Sequence, residues 1–115
     1  MANQLSRHHP KNFHGVSIPE IARFTVEIRS AKNAGVPYAY LCYFDGTGVL
    51  KWKITPANFE RNGRPNTLHL YHRNKKGRPG FHHQGKVAAA TEQGLFRLVR
   101  YIESHEQYEH QQKNK

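Results

Sequence analysis

Between Leu68 and Lys86 the chain reads LHLYHRNKKGRPGFHHQGK, with four histidines, five Lys or Arg, three glycines and no carboxylate. Lys and Arg neutralise phosphates, and glycines let a backbone approach them closely. Imidazoles bind metals or carry protons. A solvated surface loop would need neither property. The histidine spacing argues against a metal centre inside this stretch. His69 and His72 are three apart on an extended strand and face opposite sides, and the adjacent His82 and His83 do not readily share one ion. Two-metal hydrolysis also wants carboxylates, and Glu60 is the only acid between Asp45 and Glu92. GRPGFHHQGK lacks the Ser or Thr that follows the lysine of a P-loop, which argues against nucleotide hydrolysis. A compact histidine nuclease, with His82 or His83 as general base beside Asn74, is the enzymatic alternative, yet no spacing such an enzyme requires is met. No catalytic residue, cofactor site or metal ligand set is assigned on this basis.

The charge points to a partner more clearly than to a reaction. The 115 residues carry a formal net charge of +10. From Gly46 to Thr91 nine Lys and Arg stand against one acid, while residues 1–45 hold five against three and residues 92–115 four against four. A field concentrated in the middle of the chain favours a polyanion, nucleic acid first and an acidic protein surface second. Nothing in the composition separates DNA from RNA. Cys42 is the single cysteine, so neither an intramolecular disulfide nor a Cys-based zinc site can form, in keeping with a reducing compartment. The start, MANQLSRHHPKNFHG, lacks the apolar core of a signal peptide, and no run approaches the roughly 20 apolar residues of a membrane span. A cytoplasmic protein without a membrane partner is expected.

These side chains have to be positioned by strands and one helix. In SIPEIARFTVEIRSAKNAGVP, Ser17 and Glu20 make a capping-box pattern, but RFTVEIR alternates strictly, so one helical turn followed by a strand is expected. PYAYLCYF is apolar on both parities, as in a central strand, and DGTG supplies a hairpin turn. VLKWKIT alternates Leu50, Trp52 and Ile54 with Lys51, Lys53 and Thr55, the pattern of a returning strand with one lysine-bearing face. PANFERNGRPN reads as a loop and TLHLYHR as the next strand. NKKGRPGFHHQG reads as a mobile loop or hairpin tip. Leu95, Leu98, Val99 and Ile102 fall at helical spacing, in a helix that begins near Thr91, or at Lys86 if KVAAA joins it.

The expected fold is a single small α+β domain, an antiparallel sheet of three to five strands packed against a C-terminal amphipathic helix. Residues 1–16 would form a flexible basic arm with histidines, residues 17–105 the domain and residues 106–115 a polar tail, with Glu106 and Glu109 in a solvated end. Alternation places Arg23, Arg29, Lys51, Lys53, His69, Tyr71 and Arg73 on the sheet face opposite the helix, together with one parity of the tyrosines in YAYLCY. Cations for phosphates and flat rings for bases are what a nucleic-acid platform requires. The expected binding set is Lys51, Lys53, His69, Tyr71 and Arg73 on the sheet with Lys75, Lys76, Arg78 and Lys86 on the loop. The function expected is nucleic-acid binding. An interaction or inhibitor module docking an acidic protein is the second reading, and the histidine nuclease the third.

Overall fold

The computed structural model describes residues 11–19, 25–33, 36–45, 47–73 and 80–113. The described residues begin with a two-stranded hairpin, β1 (Asn12–Phe13) and β2 (Val16–Ser17). His14 and Gly15 turn it with φ of 53° and 82°, and positive φ at both central residues marks the type I′ turn that suits a tight hairpin. Five longer strands follow: β3 (Thr25–Asn33), β4 (Val36–Phe44), β5 (Leu50–Phe59), β6 (Pro65–Arg73) and β7 (Phe81–Ala89). They form one antiparallel sheet in chain order. Among the described residues one helix, α1 (Glu92–Lys113), follows the strands and packs on the sheet. This is the α+β domain that the alternation and the helical stripe foretell.

The turn chemistry is local and legible. Asp45 Oδ1 accepts hydrogen bonds from the backbone N–H of Thr47 and Val49 and from the Thr47 hydroxyl, closing the β4–β5 hairpin. PANFERNGRPN is less of a loop than its Pro and Gly suggest. β5 runs on to Phe59, and only residues 60–64 turn, held by Gly63 N–H to Glu60 O and Glu60 N–H to Arg64 O. Pro56 is tolerated inside β5 because the β4–β5 ladder ends at Leu41 and Ile54, so its missing N–H forfeits no bond on that side.

The helix side of the sheet carries the core, in which Val26, Leu41, Tyr43, Trp52, Ile54, Leu68 and Leu70 meet Leu95, Leu98, Val99 and Ile102. Phe13, Val16 and Ile18 join it, so the first hairpin belongs to the domain and is no free arm. Ile28 shares the face of Val26 but remains 37% exposed. Phe24 and Arg23 lie outside the described residues. Leu50 was expected in the core and instead pairs with Phe44, half-buried. The segment KVAAA contributes to β7 and not to the helix, which starts after Thr91. The Thr91 hydroxyl accepts from Gly94 N–H at 3.0 Å and its carbonyl from Leu95 N–H at 2.9 Å, the geometry of an N-cap. At its other end the helix continues through the polar residues 106–113.

Gly94 lies where the first helical turn presses against the end of β7. A Cβ there would collide with the Ala89 carbonyl. In an open helix Ala is favoured over Gly by about 1 kcal/mol, but overpacking against backbone reverses the sign. Gly94→Ala is expected to cost about 1 to 3 kcal/mol in urea unfolding. A gain in stability would mean that the first helical turn is not held against Ala89.

Candidate functional site

Two groups of polar side chains lie on opposite sides of the sheet. On the side away from the helix, the register aligns Glu27, Cys42, Lys53, Tyr71 and His83 across all five strands. Tyr38 and Tyr40 share this face with Cys42 by alternation. Where β4 and β5 part beyond Leu41 and Ile54, a groove of about 860 Å³ opens between Tyr38 on one wall and Thr55, Pro56, Ala57 and Phe59 on the other. Lys53, His69, Tyr71, Gly80 and Phe81 form the rest of it. Its size falls in the range of about 300 to 1,000 Å³ usual for ligand clefts. His14 tethers the first hairpin at the parted strands: its ring lies 2.9 Å from the Ala39 carbonyl oxygen, which the β5 ladder leaves free.

The cations of this face are seated on rings. Lys53 Nζ lies 4.3 Å from the centre of the Phe81 ring and 5.4 Å from that of Tyr40, and the Arg73 guanidinium lies 4.9 Å from Phe81. Arg73 Nε also donates to the Leu50 carbonyl at 2.9 Å. Among the described residues no carboxylate lies within 4.0 Å of Lys53 or Arg73, whereas Arg29 is paired with Glu27 at 2.6 Å. Beside Tyr71, Gly85 N–H donates to His83 Nδ1 at 2.9 Å, which leaves the proton of a neutral His83 ring on Nε2. That Nε2–H donates to His69 Nδ1 at 2.8 Å. Burial, and then the neighbouring His83, hold the His69 pKa below its ordinary value. Cys42 is fully buried beneath these side chains, and burial pushes its thiol up to about 11.

Five of the residues expected on this face are there: Arg29, Lys53, His69, Tyr71 and Arg73. Lys51 is not. A β-bulge sets Phe44 opposite Leu50 and Tyr43 opposite Trp52, leaving Lys51 as the extra residue. Its side chain turns to the helix side, 8% exposed, with Nζ 2.8 Å from Glu106 Oε1 and 3.7 Å from Glu109 Oε1. Lys86, expected on the binding loop, is in β7 and on the helix side instead. The expected loop becomes strand from Phe81, and a second irregularity, in which β7 spends three residues between His83 and Val87 where β6 spends one, takes up Gly85 at φ of 68°. Lys86 then lies with its Nζ 4.9 Å from the centre of the Tyr101 ring on the helix. Lys75, Lys76 and Arg78, with Asn74, lie outside the described residues, in the segment joining Arg73 to Gly80. No family model, curated protein or solved structure matches this chain.

The second group is built where the far half of α1 crosses the strands. His72 stacks on Trp52 with ring centres 3.8 Å apart and planes 16° from parallel, and His105 meets His72 edge-on at 5.1 Å. Glu106 Oε2 accepts from the Trp52 indole at 2.9 Å while its Oε1 accepts from Lys51. The donor atoms of His72, His105 and Glu106 lie within 4.8 Å of one another, so these three are the described residues able to share a metal ion. His82 pairs with His72 across the strands on this same side, so alternation sends it and His83 to opposite faces, and the two do not act together. The polar stretch expected as a solvated tail thus supplies Glu106 and Glu109 to a half-buried cluster. The signal was present in the sequence, since His105, Glu106 and Glu109 continue the stripe of Leu95, Leu98 and Ile102 at helical spacing.

His72 makes stability depend on pH. Burial, followed by His105, disfavours its imidazolium, with Glu106 opposing, and its pKa falls from 6.5 to about 4. The unfolded chain binds a proton in this window that the native chain refuses, so stability is complete above about pH 6.5 and declines as pH falls toward 4. Glu106, held below its ordinary 4.5 chiefly by the bonds from Lys51 and Trp52 against the opposing effect of burial, adds a loss only below that value. His72→Phe keeps a ring on Trp52 and removes the first slope. With a chelator present, the drop in melting temperature between pH 7 and 5 is expected to shrink in this variant. An unchanged drop would assign the acid sensitivity to other groups.

Proposed function

We propose that the protein binds nucleic acid, laying a single-stranded stretch along the open groove on the sheet face away from the helix. What carries this reading is the pairing of Lys53 and Arg73, without a carboxylate partner among the described residues, with the rings of Tyr40 and Phe81 beside an open cleft that also offers Tyr38 and Tyr71. Ammonium and guanidinium groups neutralise phosphates, and aromatic faces accept bases of any sequence. Exposed rings suit an unpaired chain better than a duplex, whose bases are already stacked. In the sequence Lys75, Lys76 and Arg78 fall between Arg73, which belongs to this face, and Gly80, which lines the groove.

Fluorescence anisotropy with labelled single-stranded and duplex oligonucleotides, from about 50 to 200 mM salt, tests the proposal. Single strands are expected to bind more tightly than duplexes of the same length, with affinity falling steeply as salt rises. Neutralising Lys75, Lys76 and Arg78 together should lower the salt slope by up to about 0.7 per lost phosphate contact and leave the fold intact. No measurable affinity for either form, with tight capture of an acidic protein instead, would move the assignment to the interaction module.

A further inference from the structure

The cluster beneath α1 takes no part in the proposed groove, being on the other side of the sheet, and its polar atoms are incompletely satisfied. His72 Nε2 and His105 Nδ1 are buried with no hydrogen-bond partner. Glu109 Oε2, 4.0 Å from His105 Nδ1, is too distant to be one. Each such atom costs about 1 to 3 kcal/mol if nothing meets it. Both belong to the trio whose donor atoms lie within 4.8 Å of one another. We propose that His72, His105 and Glu106 bind one divalent cation of the zinc class, pinning the far half of the helix to β6.

Size, ligand type and charge all fit. Ligands of a tetrahedral zinc stand about 2.0 to 2.2 Å from the ion, hence roughly 3.4 Å from each other, so each donor has to move inward by less than about 1 Å. Two imidazoles and one carboxylate are a borderline-soft set that selects zinc, copper or nickel over magnesium and calcium. Glu106 already gives one lone pair to Lys51 and one to Trp52, and each carboxylate oxygen retains a second for a metal. Against the single ammonium of Lys51 stand the carboxylates of Glu106 and Glu109, so a cation enters a site with negative charge to spare. The surroundings also orient the ligands: Trp52 clamps the His72 ring by stacking and holds Glu106 through its indole N–H. Outer partners of this kind fix ligand geometry in metal sites. Three protein ligands leave a fourth position for water.

The full-length chain, stripped with a chelator and dialysed, is titrated with zinc in competition with a chromophoric chelator. One tight equivalent is expected, with a rise in melting temperature, whereas magnesium and calcium do neither. Cobalt substituted for zinc should show the intense visible bands of a four-coordinate ion. His105→Ala removes a ligand from a helix position that tolerates alanine, and His72→Phe preserves the stack on Trp52. Each should weaken the tight equivalent by about a hundredfold or more, since loss of an outer partner alone costs 10- to 100-fold. Far-ultraviolet circular dichroism verifies that both variants fold. Failure of the wild-type chain to take up zinc would overturn the proposal, leaving water as the partner of the buried nitrogens. Equal affinity in wild type and both folded variants would also overturn it, and would assign the uptake to other histidines. Neither outcome bears on the groove, whose test is oligonucleotide affinity.

Discussion

Lys51→Glu is expected to destabilise the fold by about 3 to 5 kcal/mol, a large share of the 5 to 15 kcal/mol typical of a domain. Lys51 is 8% exposed in the wild type, and its ammonium sits 2.8 Å from Glu106. Removing one partner of a buried ion pair leaves the other charge desolvated and uncompensated, and that accounts for most of the loss. The substitution then adds a third carboxylate beside Glu106 and Glu109. Equilibrium unfolding in urea measures the loss. Lys51→Met, which keeps the stem and removes the charge, should lose less than Lys51→Glu. A pair of equally mild losses would mean that the ammonium reaches solvent and that the bulge does not bury it.

The contrast with Lys53, two residues on, explains what could be read from the sequence. VLKWKIT alternates, and strict alternation puts both lysines outside. It works for Lys53, Trp52 and Ile54 and fails for Lys51 because one extra residue reverses the parity of what precedes it. Nothing in the seven residues signals the bulge. The partner that Lys51 meets on the helix side, Glu106, is 55 residues away. The same physics hid β7, where the polar run from His82 to Lys86, with Gly85 inside it, resembles a loop until the irregularity opposite β6 accommodates it. The turns at Asp45 and the apolar stripe of α1 were legible because their determinants lie within a few residues. The helix end at Lys113 was not, because its second half faces the sheet through His105 and Glu106 in place of leucines. On the outer face, Lys53, His69, Tyr71 and Arg73 were placed correctly by alternation alone, while the groove itself was invisible, since it arises where β4 and β5 part company.

That parting of the strands gives the largest expected effect on binding. Lys53→Glu and Tyr71→Ala, alone and together, separate the two forces the groove is proposed to use. Lys53→Glu deletes a phosphate contact and should both weaken oligonucleotide binding and reduce the salt slope by about 0.7. Tyr71→Ala deletes a stacking surface worth about 1 to 3 kcal/mol per base, so affinity should fall by between fivefold and over a hundredfold, with the salt slope unchanged. Together they are expected to weaken binding by about a hundredfold or more, the two terms adding approximately as long as different parts of the nucleotide are contacted. Neither side chain belongs to the core, so the loss should appear in anisotropy titrations of protein whose unfolding midpoint is close to that of the wild type. If Lys53→Glu acts and Tyr71→Ala does not, the face attracts phosphates without stacking bases and the single-strand preference has no basis. If neither acts while neutralising Lys75, Lys76 and Arg78 abolishes binding, the nucleic acid is held by that segment and the groove belongs to a different ligand.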